Sequence, residues 1–320
     1  MKSNLPKLAI ILPCYNEEEI LPHTSLQIIN YLKDIIKNNI VHTDSKICFV
    51  DDGSKDTTWH ILQSIIQDEN TVIGIKLARN AGHQSAILAG LQSLRNMFDC
   101  YITIDVDLQD DIRTITQMVD KYTQGCKVVY GVREDRSKDT WFKRFSAELF
   151  YKIMLAMKLP IIFNHADFRL IDNVVLNHLN SFQEVNLFLR GIIPLIGFKT
   201  DKVYYKRLER ELGETKYPLR KMISFAWNGI TSFSTLPMRL VLYWGFAHVF
   251  ICLLVGIYAF VSYLLGHNLA GWTSTLLLIA FFSGSNMIAI GLIGEYIGKI
   301  YQEVKSRPLY IIEEITEIKK

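Results

Sequence analysis

The chain has 320 residues, a formal net charge of +3 and 49% hydrophobic residues. That length allows one domain of ordinary size with an appendage, and so small a charge argues against a nucleic-acid partner. The five cysteines are far apart and form no CxxC pair, which indicates reduced, buried thiols and not a disulfide framework or a cysteine metal site.

The first 130 residues alternate short apolar runs with longer stretches of helical periodicity. This alternation is typical of βαβ units, so we predict an α/β domain with a Rossmann-like, mostly parallel sheet. The predicted strands are "KLAIIL", "KICFV", "VIGIKL", "CYITID" and "KVVYG", and the predicted helices lie near 17–37, 55–67, 83–97 and 111–124.

A polar or charged segment follows each of these five strands. Asn, Asp and Gly are common in turns, which explains any one such loop but explains five together poorly. In an open α/β sheet, ligands bind outside the carboxyl ends of the strands. We therefore expect one site formed by "PCYNEEE", "DDGSKD", "ARNAGHQ", "DVDLQDD" and "VRED".

This expected site is strongly acidic after the fourth strand, where Asp105, Asp107, Asp110 and Asp111 stand close together in sequence. The chain has neither a GxxxxGK[ST] loop nor a GxGxxG turn after its first strand, so the usual phosphate-binding fingerprints are missing. A diphosphate in an acidic site needs a divalent cation, and carboxylates with phosphates suit Mg²⁺ or Mn²⁺. In an extended segment Asp105 and Asp107 point to one side and reach one metal.

A membrane anchor is predicted near the C-terminus, because residues 240–294 contain no Asp, Glu, Lys or Arg. Two apolar runs, roughly 240–265 and 273–294, each exceed the ~20 residues that span a bilayer. A buried helical hairpin is the alternative. Lys and Arg flank the runs but are missing from the loop between them, which places residues 1–239 and both termini on the cytoplasmic face of a multi-pass inner-membrane protein.

Several motifs together resemble the family 2 glycosyltransferases with a GT-A domain. Within that family the chain is most similar to the membrane-anchored polyprenyl-phosphate glycosyltransferases, which include relatives of dolichol-phosphate mannose synthase and the bactoprenol glucosyltransferases. One departure is Asp110-Asp111-Ile112 after "DLQ", where the family has a Pro-containing stretch. The matching motifs are "PCYNEEE", "VDDGSKDTT", "ARNAGHQSAILAGL", "DVDLQD", "ADFRLID", "GETKYPLRKM" and "GEYIGKIYQEVKSRPLY".

The resemblance implies a metal-dependent, inverting transfer of sugar from a nucleotide sugar to a membrane polyprenyl (undecaprenyl) phosphate. UDP-glucose is the default donor, and the product would serve cell-envelope glycan modification. The chain then divides into a GT-A catalytic domain (1–217), an amphipathic juxtamembrane region (218–239), two transmembrane helices (240–297) and a cytoplasmic C-terminal tail (298–320).

The resemblance also assigns the donor side of the site. The nucleoside pocket would comprise Pro13, Tyr15, Glu17 and Asp52. Asn80 would lie near the nucleotide sugar. The metal and the diphosphate would be held by Asp105, Asp107 and Gln109.

The acceptor would then be a phosphate monoester with a second pKa near ~6, so at neutral pH it would be largely ionised and have less need of a general base than of cations. The candidate cations are Arg133, Arg144, Arg169 and Lys216. Asp167 has three interpretations: it orients the acceptor, it acts as a base, or it forms a structural salt bridge with Arg169.

The expected partners are therefore a nucleotide sugar, a polyprenyl phosphate and the membrane, with a homo-oligomer suggested by the bacterial branch of the family. A separate flippase would move the product, since two helices offer no path for a sugar. Two alternatives stay open: a polysaccharide synthase that extends a sugar chain, and a membrane transporter regulated by a nucleotide-binding domain. The uncharged apolar runs offer a transporter few polar groups.

Overall fold

The computed structural model describes residues 5–134, 165–182, 184, 189–206, 231, 235–266 and 271–316. The chain divides into two compact units. The first comprises Met1–Lys216 together with Arg307–Lys320, and the second comprises Tyr217–Ser306.

The first unit alternates strands and helices in the order that the sequence predicts. The four predicted helices and five predicted strands are present, with ends shifted by up to four residues. The strands are β1 (Leu8–Cys14), β2 (Lys46–Asp51), β3 (Val72–Leu77), β4 (Cys100–Thr103), β5 (Val128–Arg133), β6 (His165–Asp172), β7 (Thr200–Tyr205) and β8 (Ile312–Ile315). The helices are α1 (Leu21–Lys37), α2 (Thr58–Asp68), α3 (His83–Ser93), α4 (Thr114–Thr123), α5 (Asn173–Leu179) and α6 (Leu189–Leu195).

The eight strands form one mixed sheet in the order β7-β5-β6-β4-β1-β2-β3-β8. β1 pairs in parallel with β2 and β4, and β2 pairs in parallel with β3. β6 runs antiparallel between β4 and β5, so β5 keeps the direction of the first four strands. The carboxyl ends of all five predicted strands therefore meet at one edge, as the sequence predicts, in a mostly parallel α/β fold.

The core lies at the centre of the sheet. Every residue of β1 is buried, because helices cover both faces of a parallel sheet and leave its strands no solvent face. Helix α3 approaches this strand closely at Gly90, where a Cβ atom would stand 2.7 Å from Ile11 and 2.9 Å from Val50. A larger residue at that position would push α3, and the loop before it, away from the sheet.

The C-terminal strand β8 completes the other edge of the sheet, a pairing that the sequence analysis did not predict. It runs antiparallel to β3, with Ile75 opposite Ile315. Thr316 adds two bonds to the backbone of Gly74: its hydroxyl accepts from the N–H at 2.7 Å and donates to the carbonyl at 2.9 Å. The residues that follow the second unit therefore belong to the first unit.

The described part of the second unit contains two long helices, α7 (Leu236–Leu264) and α8 (Trp272–Lys305). They cover the two predicted apolar runs. Among the described residues, one stretch, Leu236–Ser262, is long and apolar enough to cross a membrane. Most of the juxtamembrane region predicted at 218–239 lies outside the described residues.

Candidate active site

The first two loops at the carboxyl edge of the sheet are joined by hydrogen bonds. The backbone N–H of Asn16 donates to Oγ of Ser54 at 3.0 Å, and its side-chain oxygen accepts from the N–H of Lys55 at 2.9 Å. The N–H of Glu17 donates to Oγ1 of Thr58 at 2.9 Å. These bonds fix "PCYNEEE" against "DDGSKD" and so define one wall of the site.

The three residues predicted for the nucleoside pocket in the first loop differ in exposure. Pro13 is buried at the end of β1, Glu17 is half-buried, and the side chain of Tyr15 is 40% exposed. Glu17 lines a cavity of about 370 Å³ together with residues 16, 18–20, Lys55 and Asp56. The exposed ring of Tyr15 is of a kind that stacks on a base or sugar.

Asp52, in the second loop, binds the backbone of the third loop. Its carboxylate is buried and faces the third loop, where Oδ1 accepts from the N–H of Ala81 at 2.7 Å and Oδ2 from the N–H of Gly82 at 2.9 Å. Asp51 is also buried, yet its Oδ2 accepts no hydrogen bond from the described residues. Burial raises the pKa of both carboxyls.

Gly53 lets the second and third loops touch. Its φ of +66° is in the left-handed region, and an added Cβ atom would stand 2.5 Å from the carbonyl carbon of Arg79. Backbone atoms cannot move aside as a flexible side chain can. The third loop, which contains the exposed predicted sugar contact Asn80, is thus placed by the close approach at Gly53 and by the bonds from Asp52.

Replacing Gly53 with alanine is expected to displace the third loop and to lower stability. Gly125→Ala is a matched control, because Gly125 also has a positive φ, +93°, but open space around its Cβ position. The control should cost about 1–2 kcal/mol from left-handed strain alone, and Gly53→Ala about 1–3 kcal/mol more from overpacking. Urea unfolding of both variants measures the difference. Equal losses would show that the contact with Arg79 does not matter.

The acidic segment after β4 forms a tight turn, which corrects the expectation of an extended segment. The N–H of Leu108, with a φ of +45°, donates to the carbonyl of Asp105 at 3.2 Å. The N–H of Gln109 donates to Oδ1 of Asp107 at 3.3 Å. Asp105 and Asp107 are half-buried at this turn and Gln109 is buried, so the presentation of the two carboxylates depends on the turn and not on strand alternation.

Asp105 has the electrostatics of a carboxylate that needs a cation. Burial, together with the negative charges of Asp110, Asp167 and Asp107, raises its pKa to about 6, while His83 opposes the rise. Its buried Oδ1 accepts no hydrogen bond from the described residues. No group of three or more metal-ligating side chains occurs in the described part of the chain. Asp105 and Asp107 with the oxygens of a diphosphate are nevertheless a donor set that fits Mg²⁺ or Mn²⁺.

Asp110 lies in the stretch after "DLQ" where this sequence differs from the family pattern, and its side chain has two partners in the structure. Its buried carboxylate accepts from NH2 of Arg133 at 3.0 Å and from the Tyr205 hydroxyl at 2.6 Å. Arg133 Nε also lies 3.3 Å from the Tyr205 oxygen. This cluster joins the fourth loop to the ends of β5 and β7. Asp111 lies outside it and forms a local ion pair with Arg113 at 2.8 Å.

Asp167, whose role the sequence left open, is bound by two arginines. Arg190 contacts both of its carboxylate oxygens, at 3.1 and 2.9 Å, and Arg169 donates to Oδ1. Burial alone would raise the pKa of Asp167, but Arg190 and Arg169 outweigh it and hold that pKa well below its usual range. So weak a base, with both oxygens in ion pairs, does not suit general-base catalysis. The salt bridge is the interpretation that the structure supports.

Arg169 is not placed to meet a lipid phosphate, which corrects its prediction as an acceptor contact. It is 1% exposed, in the middle of β6, and serves as a counter-ion for Asp167. Arg133 is partly exposed at the carboxyl edge and stays a candidate. The other two predicted cations, Arg144 and Lys216, lie outside the described residues.

Sequence reasoning missed three residues of the site: His83, Arg190 and Tyr205. His83 is the first residue of α3, and its Nε2 lies 3.4 Å from Asp105 and 3.7 Å from Asp167. Its place in "ARNAGHQ" was an available signal, since that loop follows a predicted strand. Arg190 and Tyr205 carry no local signal, because their partners are 23 and 95 residues away.

The geometry agrees with a comparison of the sequence with protein families. Residues 9–179 match the profile "Glycosyl transferase family 2", which is more than half of the chain. The chain therefore belongs to glycosyl transferase family 2, and it is a glycosyltransferase. The matched region includes all the described site residues except Arg190 and Tyr205.

Curated relatives are similar to the chain from end to end. The uncharacterized glycosyltransferase YkoT of Bacillus subtilis is 50% identical, covering 98% of this chain and 93% of the relative. The prophage bactoprenol glucosyl transferase homolog of Escherichia coli is 37% identical, covering 97% and 99%. The SfII prophage-derived bactoprenol glucosyl transferase of Shigella flexneri is 38% identical, covering 96% and 97%.

Among solved structures, the mannosyltransferase PcManGT from Pyrobaculum calidifontis, in complex with GDP-Man and Mn²⁺, matches 94% of this chain and 88% of its own. The identity is 13% and the TM-score is 0.47.

Proposed function

We propose that the protein transfers one sugar from a nucleotide sugar to a polyprenyl phosphate in the membrane, with UDP-glucose as the default donor. The observation that carries this proposal is the end-to-end similarity to bactoprenol glucosyl transferases, at 37–38% identity over 96–97% of the chain. That similarity extends beyond residues 9–179, which match the family, and so includes the two long helices. Similarity confined to the catalytic unit would support glycosyl transfer but would not indicate the acceptor.

On the donor side, the carboxylates of Asp105 and Asp107 would hold Mg²⁺ or Mn²⁺ together with the diphosphate. When bound, the metal supplies Lewis-acid stabilisation of the nucleoside diphosphate that leaves. Gln109 stands at the end of the same turn. The nucleoside would lie against Tyr15 and Glu17.

On the acceptor side, the chemistry requires cations more than it requires a base. A phosphate monoester with a second pKa near ~6 is mostly a dianion at neutral pH, so its oxygen is already a nucleophile. The ion pairs of Asp167 with Arg169 and Arg190 agree with this, since the carboxylate is not available to take a proton. The role of the chain is then to hold the acceptor in line with the bond that breaks.

A panel of radiolabelled UDP- and GDP-sugars tests the donor. The purified protein is incubated with undecaprenyl phosphate and each donor, and the lipid fraction is separated by thin-layer chromatography. We expect a labelled glycolipid with one UDP-sugar, glucose first among them. If only GDP-sugars gave product, the default donor would be wrong while the reaction class would stand.

Arg133→Ala is expected to weaken binding of the acceptor more than binding of the donor. A lost charge-assisted bond to a dianion costs roughly 1.5–3 kcal/mol, so the KM for polyprenyl phosphate should rise about 10- to 100-fold. The variant also leaves the buried carboxylate of Asp110 without its cation, so thermal unfolding must first show that the variant is folded. Steady-state kinetics measure the KM for the acceptor, and calorimetry measures the affinity for UDP. An equal loss of UDP affinity would place Arg133 on the donor side.

We also propose that α7 and α8 both cross the membrane and leave both ends of the chain in the cytoplasm. If α7 crosses once, the chain must cross again before β8, because β8 belongs to the same unit as the strands that precede α7. α8 has 34 residues, about 50 Å at 1.5 Å per residue, which is ample for a bilayer. A separate flippase would then deliver the product to the outer face.

Cysteine labelling in intact cells tests this topology. A cysteine at Asn268 should react with an impermeant thiol reagent, and one at Glu314, which is exposed on β8, should not. The background needs only Cys252 replaced, since the other four cysteines are buried. Labelling at Glu314 without labelling at Asn268 would place the catalytic unit outside the cell and contradict the proposal.

A further inference from the structure

The ring of His83 faces two carboxylates that differ in how firmly they are held. Its Nε2 lies 3.4 Å from Oδ1 of Asp105 and 3.7 Å from Oδ2 of Asp167. Asp167 is fixed by Arg169 and by the two-point contact with Arg190. The buried Oδ1 of Asp105 accepts no hydrogen bond from the described residues. His83 thus stands between a rigid ion-pair cluster and a carboxylate that lacks other support there.

The position of His83 is itself set by the loop before it. His83 begins α3, directly after Gly82 with a φ of +93°. The N–H groups of Ala81 and Gly82 both donate to the buried carboxylate of Asp52, at 2.7 and 2.9 Å. Two charge-assisted bonds to consecutive backbone groups fix both the place and the direction of the chain where it enters the helix. Any shift of Asp52 would therefore move the imidazole.

We propose that His83 is a positioning residue of the transfer reaction, which holds Asp105 in place for the metal–diphosphate group, and that Asp52 acts through it. This inference rests on the proposed function, because it assigns Asp105 to the donor side. Transfer reactions depend on geometry at this scale: a displacement of about 1 Å in a catalytic group costs on the order of 100-fold in rate. A carboxylate supported at Oδ1 needs no reorganisation when the diphosphate arrives.

Three substitutions of His83 test whether its side chain must extend as far as Asp105 or needs only to be polar. Glutamine carries its amide nitrogen about as far from the backbone as Nε2, whereas asparagine reaches only the position of Nδ1, and alanine reaches neither. The measurements are UDP affinity by calorimetry, with and without Mn²⁺, and kcat for glycolipid formation. Thermal unfolding of each variant shows that it is folded.

We expect UDP affinity without Mn²⁺ to stay within about twofold in all three variants. The extra affinity that Mn²⁺ confers, and kcat, should both fall about 10- to 100-fold in His83→Ala and His83→Asn, the scale expected when a catalytic carboxylate shifts by up to about 1 Å. His83→Gln should stay within about threefold of wild type. The inference is overturned if His83→Ala matches wild type, or if asparagine rescues as well as glutamine does.

A double-mutant cycle tests whether Asp52 acts through His83. Asp52→Asn removes one of the two acceptors and should give the same Mn²⁺-dependent loss, and adding His83→Ala should lower the affinity and kcat no further. If Asp52→Asn does not fold, Asp52→Glu replaces it, since it keeps the charge and moves the carboxylate by one methylene. Multiplicative losses would overturn the coupling.

The wild-type protein separates this inference from the proposed function. Wild-type protein that shows Mn²⁺-enhanced UDP binding and makes glycolipid, together with a fully active His83→Ala, rejects the role of His83 alone. Wild-type protein that binds neither UDP nor GDP with Mn²⁺, and makes no glycolipid, rejects the proposed function and with it the donor-side assignment of Asp105.

Discussion

Asp107→Asn is expected to lower sugar transfer by at least about 100-fold and to leave the residual rate insensitive to added metal. The substitution keeps the shape of the side chain but removes a charged oxygen ligand. Lewis-acid stabilisation by a bound metal is worth several kcal/mol, and each 1.36 kcal/mol is about tenfold in rate. Steady-state rates in Mg²⁺, Mn²⁺ and EDTA measure the effect.

Asp111→Asn is the matched control for that variant. It makes the same chemical change four residues further on, where the carboxylate pairs with Arg113 and lies outside the metal-facing group. Its rate and metal response should stay near those of wild type. Asp107→Asn protein that transferred sugar in EDTA at the wild-type rate would show that the acidic turn does not hold a catalytic metal.

Asp167→Asn is expected to cost about 3–5 kcal/mol in the free energy of unfolding, the usual result of removing one partner from a buried ion pair. Arg169 is fully buried and would keep its charge without a counter-ion. Because the arginines hold the pKa of Asp167 below its usual range in the folded state, the wild-type advantage is present at neutral pH. It is lost only as the pH falls below about 4, the ordinary aspartate value.

Urea unfolding of wild type and variant at pH 7 and at lower pH measures this effect. Asp201→Asn is the control, because Asp201 forms an ion pair with Lys121 at the surface, where such pairs contribute about 0–1 kcal/mol. A loss for Asp167→Asn no larger than that of the control would mean that the arginines do not need this carboxylate.

The central parallel strands were predictable because their signals are local. Each apolar run of β1 to β5 is followed by a polar loop, and helical periodicity lies between most of them, which together leave few topologies open. β6 and β8 were harder for a physical reason. Both are antiparallel additions, and β8 pairs with β3 across more than 200 residues, so no local pattern reports the pairing.

The site residues also divide into features with a local sequence signal and features without one. The sequence placed the acidic residues at the carboxyl edge, but the direction of each side chain depends on contacts between loops. Asp52, for example, binds the backbone of residues 81–82, which no local pattern indicates. The segment at Asp105 closes into a turn because Leu108 adopts a positive φ, which a hydrophobic residue rarely does. Asp167 is bound by Arg190, whose position no motif indicates.

The most direct test of the central claim is the nature of the bond in the product. Purified protein is given labelled nucleotide sugar with either undecaprenyl phosphate or a sugar-chain acceptor, and the product is analysed by mass spectrometry. We predict one sugar attached to the lipid phosphate, released by mild acid, and no extension of the sugar chain. Extension of the sugar chain without any lipid-phosphate product would contradict the account and favour a polysaccharide synthase.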